Sequence, residues 1–80
     1  MIKQINFTSG FIRIPSINKV VNPDNIQTIG EESKGNTSYI MLDDCIEVGN
    51  INAPVSSIAS ACIEAQTKGT IVDVKENQNN

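Results

Sequence analysis

An 80-residue chain has room for one small core, so a strained or deeply buried polar site would need support from outside it. Apolar residues make up 39% and charged residues 19%, the balance of a folded domain in water, and apolar runs are short, which excludes a disordered chain and a bilayer-spanning one. Nine acidic residues against six scattered basic ones give a net charge of −3; without the clustered Lys and Arg that release counterions, no nucleic-acid polymer is expected as a partner.

Thirteen Ile against a single Leu favour pleated sheet, because side chains branched at Cβ fit strands better than helices. In chain order, "IKQINF" alternates apolar and polar residues and predicts a strand over residues 2–7. No apolar leader segment is expected from this opening. "TSG" then places Gly10 in a hairpin connection to a second strand over 11–14. Pro15 ends that strand because it has no N–H to share. "PSINK" reads as loop leading into a short extended piece at Val20 and Val21. "NPDN" combines the preset angle of Pro with side-chain acceptors and predicts a β-turn over 22–25. A strand over 26–30 and a polar tip over 31–36 follow.

"SYIML" and "CIEV" predict strands over 38–42 and 45–48 with Asp43 and Asp44 as a two-residue hairpin loop. Adjacent aspartates at such a tip are solvated and diverge, which speaks against a paired-carboxylate acid/base site. With Leu42 opposite Cys45, one face carries Ile40, Leu42 and Cys45 and the other Tyr39, Met41, Ile46 and Val48. Both faces are then apolar, and each needs a cover.

Only one helix is available to cover them. It is predicted from Asn52 as N-cap, with Pro54 in the first turn, to Lys68 and Gly69. Val55, Ile58, Ala59, Cys62 and Ile63 form its apolar stripe. Ser57, Ala61 and Ala65 line up as small residues, with Ser56 and Ser60 beside them, a surface that a second backbone could approach closely. "TIVDV" predicts a last strand over 70–74, and residues 75–80 a disordered polar tail, leaving residues 1–74 as a single domain.

The uncovered sheet face implies a partner outside the chain, so a homo-oligomer is expected, with Met41, Ile46, Val48, Ser57 and Ala61 as interface candidates. The chain has no His, and no glycine-rich phosphate loop, nucleophile elbow or metal-ligand cluster, so no catalytic residue, metal or cofactor is expected. Cys45 and Cys62 lack an adjacent base or cation; they read as buried thiols, with a disulfide left open. Arg13, the only arginine, suits a two-pronged grip on a phosphate or carboxylate, and Tyr39 suits stacking or anchoring. With Lys19 they are the candidates for holding a ligand or partner.

The pattern "VVNPDNIQTIGEESKGNTSYIMLDDCIEVGNINAPVSSIASACIEA", residues 20–65, resembles small bacterial and phage proteins of the flagellar-operon FlbD type. The likeness rests on strand periodicity with Asn22, Pro23 and Ile26. It implies a sheet with one helix and carries over no catalytic residue. The chain departs from that type by an added N-terminal hairpin, an added C-terminal strand and a "DD" turn without Gly.

The sequence therefore predicts an α+β fold, a small antiparallel sheet of five or six strands with one helix packed on one face. It predicts a non-enzymatic, cytoplasmic binding protein with no membrane partner. The Ile- and Asn-rich composition fits an AT-rich genome such as that of a phage, in which case the compartment is the host cytoplasm. Its action would be to occlude a host protein or sequester a small anionic ligand such as a signalling nucleotide. The alternative is a structural or regulatory accessory of the FlbD type.

Overall fold

The computed structural model describes residues 10–32 and 36–77. In chain order they form β1 (Phe11–Ile14), β2 (Lys19–Val21), β3 (Ile26–Glu31), β4 (Ser38–Leu42), β5 (Glu47–Ile51), α1 (Val55–Lys68) and β6 (Ile71–Asp73). This is the expected α+β fold, with the helix packed against strands. In place of the single antiparallel sheet expected, the six strands of the described residues divide into two three-stranded sheets, β2-β1-β6 and β3-β4-β5, the first with a parallel pair. The expected strand over 2–7 lies outside the described residues.

In the first sheet β1 is flanked on both sides, antiparallel by β2 and parallel by β6. The parallel pair is possible because the whole second sheet and α1 serve as the crossover between its strands. Pro15 ends β1 as expected, but the loop after it is a turn of 3₁₀ helix, Pro15–Ile17. Asn18 closes that turn in the left-handed region at φ 53° and donates its N–H to the Pro15 carbonyl at 3.1 Å. Asn tolerates this angle, and the chain reverses tightly enough for Lys19 to pair with Ile14. The "NPDN" turn closes likewise, with Asn22 Oδ1 accepting the Asp24 N–H at 2.9 Å.

The second sheet is an antiparallel meander. Its β4–β5 loop has three residues instead of two. Leu42 donates its N–H to the Ile46 carbonyl at 2.9 Å, and Cys45 donates to the Leu42 carbonyl at 2.9 Å. A two-residue type I′ loop needs positive φ at both central positions. Neither aspartate has it, whereas Cys45 takes the left-handed conformation at φ 66°. Because Cys45 bears strain that glycine would not, Cys45→Gly is expected to raise stability by about 1 kcal/mol, read from a urea midpoint. A loss of stability would mean that the thiol makes a contact of its own.

The extra loop residue changes which side chains share a face. Ile40 now pairs with Val48 and Met41 with Glu47. Val48 therefore turns inward, 8% exposed, and joins Ile40 and Ile51 in the core. The opposite face carries Tyr39, Met41 and Glu47, with Thr28 and Gly30 of β3 beside them. It is mixed rather than apolar, so the expectation of a sheet greasy on both sides is overturned.

One core joins both sheets to the helix: Ile12, Ile14 and Val21 from the first, Ile40, Val48 and Ile51 from the second, and Ile58, Ala61 and Ala65 from α1. Ser38 is fully buried within it, and its hydroxyl donates to the Ala53 carbonyl at 2.6 Å, tying β4 to the entry of the helix. The helix starts at Val55 with Pro54 at the N-cap position and no side-chain cap. Asn52, expected to cap it, instead bonds Asn77: the Asn77 N–H reaches the Asn52 carbonyl at 2.8 Å, and their side-chain amides are engaged as well. At the other end Gly69, in the left-handed region at φ 67°, closes α1 as expected.

The buried face of α1 differs from the predicted stripe. Ile63 is 65% exposed, and Ala61 and Ala65 are buried in its place. The reason is backbone proximity. Gly10, at φ 70°, lies so close to α1 that a Cβ there would run into the Ala65 carbonyl. Two alanines let the start of β1 come this near; an isoleucine would hold it away. The backbone that approaches the small residues is thus the chain's own.

Candidate functional site

Between α1 and β6 lies a cleft of about 260 Å³, open to solvent. The helix contributes Ser56, Ser57, Ser60, Ala61 and Glu64, and the opposite wall is Val72, Asp73 and Lys75. The helical residues follow from 3.6-residue periodicity: positions 56, 60 and 64 are successive turns of one face, with 57 and 61 beside them. The other wall is held in place through β6. Val74 donates its N–H to the Arg13 carbonyl at 2.8 Å, and beyond it Glu76 accepts the Ser16 hydroxyl and, at 3.1 Å, the Ser16 N–H. Asn77 adds its bonds to Asn52 and Asn36. The polar stretch expected to fray from residue 75 is therefore tied down as far as Asn77.

Electrostatically the cleft is nearly balanced. Arg13 and Asp73 are register partners in the parallel pair and form a forked ion pair, Nε to Oδ1 at 2.8 Å and Nη2 to Oδ2 at 3.1 Å. Hydrogen bonding from Arg13, together with its charge, holds the Asp73 carboxyl below the usual carboxylate range. Glu64 pairs with Lys68 one turn further along α1 at 3.1 Å. Among the described residues Lys75 has neither an ion-pair nor a hydrogen-bond partner, and the hydroxyls of Ser56, Ser57 and Ser60 have no hydrogen-bond partner.

A group whose folded pKa is depressed adds stability that is complete above its unfolded value and is lost as pH falls through the folded one. The Arg13–Asp73 pair therefore stabilises the fold above about pH 4, the usual Asp value. Asp73→Asn is expected to flatten the acid limb of a stability-against-pH curve while leaving its alkaline limb in place. An unchanged acid limb would show that the pair does not hold in solution.

The predicted site residues are dispersed over the molecule. Arg13 and Ser57 meet around the cleft, Ser57 in its wall and Arg13 through its pairing with Asp73, and Ala61 lines the floor, 4% exposed. Arg13 is thus committed to a carboxylate of its own chain and is not a free anion reader. Tyr39 and Met41 lie half-buried on the outer face of the second sheet, where the Tyr39 ring covers Gly30, whose missing side chain leaves room for it. Lys19 is exposed at the start of β2, where it pairs with Ile14 of β1. Ile46 is 53% exposed beside the β4–β5 loop, whereas Val48 is core and unavailable to a partner.

Cys45 and Cys62 are both free thiols. Cys45 is exposed rather than buried, because the loop carries it outward, and partial burial pushes the Cys62 thiol up. Among the described residues no group of three His, Cys, Asp or Glu side chains could hold a metal ion, and no helix is long and apolar enough to cross a membrane. Sequence reasoning missed Lys75 and Asp73 as cleft residues, since the first was assigned to a tail and the second to an ordinary strand position. No protein-family model, curated protein or solved structure matches the chain.

Proposed function

We propose that the chain is a small non-enzymatic binding protein that takes up a small anionic ligand in the cleft between α1 and β6. One observation carries this reading: an open hollow of about 260 Å³ is lined by three serine hydroxyls and a lysine that have no partner among the described residues. Its size is close to the lower end, roughly 300 Å³, of pockets that enclose small molecules. Hydroxyls and an ammonium group donate hydrogen bonds to anionic oxygens without any covalent step.

The test is a thermal-shift screen of small organic acids and nucleotides on the wild-type chain and on Ser60→Trp, which fills the cleft from an exposed position. A ligand at 100 times its Kd adds about 2.7 kcal/mol, roughly 10–20 °C in Tm for a domain of this size. The shift should vanish in Ser60→Trp. A shift that persists there would move binding elsewhere on the molecule.

A second reading, engagement of a protein partner or a second copy, is favoured by Ile46. It stands 53% exposed opposite Leu42, which pairs in turn with Ile26, so a line of apolar side chains crosses the loop end of the second sheet. Light scattering tests the second copy, because a monomer at micromolar concentration would leave self-association without support.

A further inference from the structure

We infer that the ligand of the α1–β6 cleft bears a single negative charge, carried by a carboxylate or a phosphodiester, with Lys75 as its counter-ion and the serine hydroxyls as donors. This deepens, and rests on, the reading of the cleft as the binding site. Three charged side chains line the hollow: Glu64, Asp73 and Lys75. Glu64 is neutralised by Lys68 and Asp73 by Arg13, which leaves one positive charge uncompensated. A singly charged acid balances it. A dianion such as a phosphomonoester brings a second negative charge that no further unpaired cation lining the cleft among the described residues balances.

Size bears on how the ligand sits. At roughly 30 Å³ per water molecule in the liquid, a hollow of about 260 Å³ displaces a small cluster of waters. Because the cleft is open to solvent, a ligand of nucleotide size can seat its acid group there with the rest partly outside. Ser56, Ser57 and Ser60 lie on one wall and Lys75 on the other, so an acid group seated between them meets donors from both sides.

Amide chemical shifts of the ¹⁵N-labelled protein, followed at pH 7.5 and low salt, test the charge rule with three probes on one scaffold: adenosine, neutral; cyclic AMP, one charge; and AMP, close to two charges. Cyclic AMP is expected to move the amides of Ser56, Ser57, Ser60, Asp73 and Lys75 at about tenfold lower concentration than either of the others. Lys75→Ala should remove that preference, and Lys75→Arg should keep it. Benzoate, a carboxylate of one charge, distinguishes the two acid classes: equal binding of benzoate assigns recognition to charge alone, and its failure beside cyclic AMP assigns the site to phosphodiesters. Equal shifts with adenosine, tighter binding of AMP, or an unaltered preference in Lys75→Ala would overturn the inference and leave the cleft as a binding site. No movement of the cleft amides with any probe would overturn both.

Discussion

Gly10→Ala is expected to remove about 2–5 kcal/mol of stability, a large share of what so short a chain has. The position lies in the left-handed region at φ 70°, and a Cβ there would overlap the Ala65 carbonyl and come within 2.7 Å of the Thr70 carbonyl oxygen. All three obstacles are backbone, so no side-chain rotation relieves them. The left-handed angle costs about 1–2 kcal/mol and overpacking about 1–3 kcal/mol more. Stability of roughly 0.05–0.15 kcal/mol per residue gives a chain of this length about 4–12 kcal/mol in total. The damage also reaches the cleft, because it is β1 that seats β6 against the helix. Circular dichroism with urea denaturation measures the loss, and a change below about 1 kcal/mol would mean that the start of β1 does not rest on Ala65.

The second large effect is expected of Ile58→Ala, paired with Ile63→Ala as its control. Ile58 is fully buried where α1 meets the core shared by both sheets, whereas Ile63 is 65% exposed on the same helix. Removing Ile58 forfeits its burial and leaves a cavity that the two sheets close only in part, at about 2–5 kcal/mol. In a domain this small that is a Tm drop of roughly 10–30 °C. The exposed isoleucine should stay within about 0.5 kcal/mol of wild type. Comparable losses from the two substitutions would place the helix in the orientation drawn from the sequence stripe, with Ile63 inward.

These contrasts mark how far the sequence is legible. Local chemistry is: Asn22 with Pro23 makes its turn, Pro15 ends its strand and Gly69 ends its helix, because each feature depends on neighbours a few residues away. What escapes is set by distant partners. The helix face was misjudged since side-chain size favours Ile63, while the close passage of Gly10, 55 positions before Ala65, favours alanine there. The hairpin was misjudged by one residue since cysteine is no usual occupant of the left-handed region, and that single step carried Val48 from the surface into the core. Arg13 looked like a free cation because its carboxylate lies 60 residues away. The cleft was visible only in part, through Ser57 and Ala61, since its second wall exists only once β6 has paired with β1.

The outermost strands decide how this molecule behaves in a crowd of its own kind. An open strand flank is a template on which another chain can add, and long, flat, apolar flanks seed aggregates. Here β2 and β6 are each three residues long, and one begins with Lys19 while the other carries the Arg13–Asp73 pair. On β5, Asn50 kinks the strand at φ 58°, and its N–H is already taken by the Glu32 carboxylate at 3.2 Å. The pairing of β3 is itself broken between Ile26 and Thr28. A chain rich in isoleucine thus discourages stacking into fibres by keeping its borders short, bent and charged.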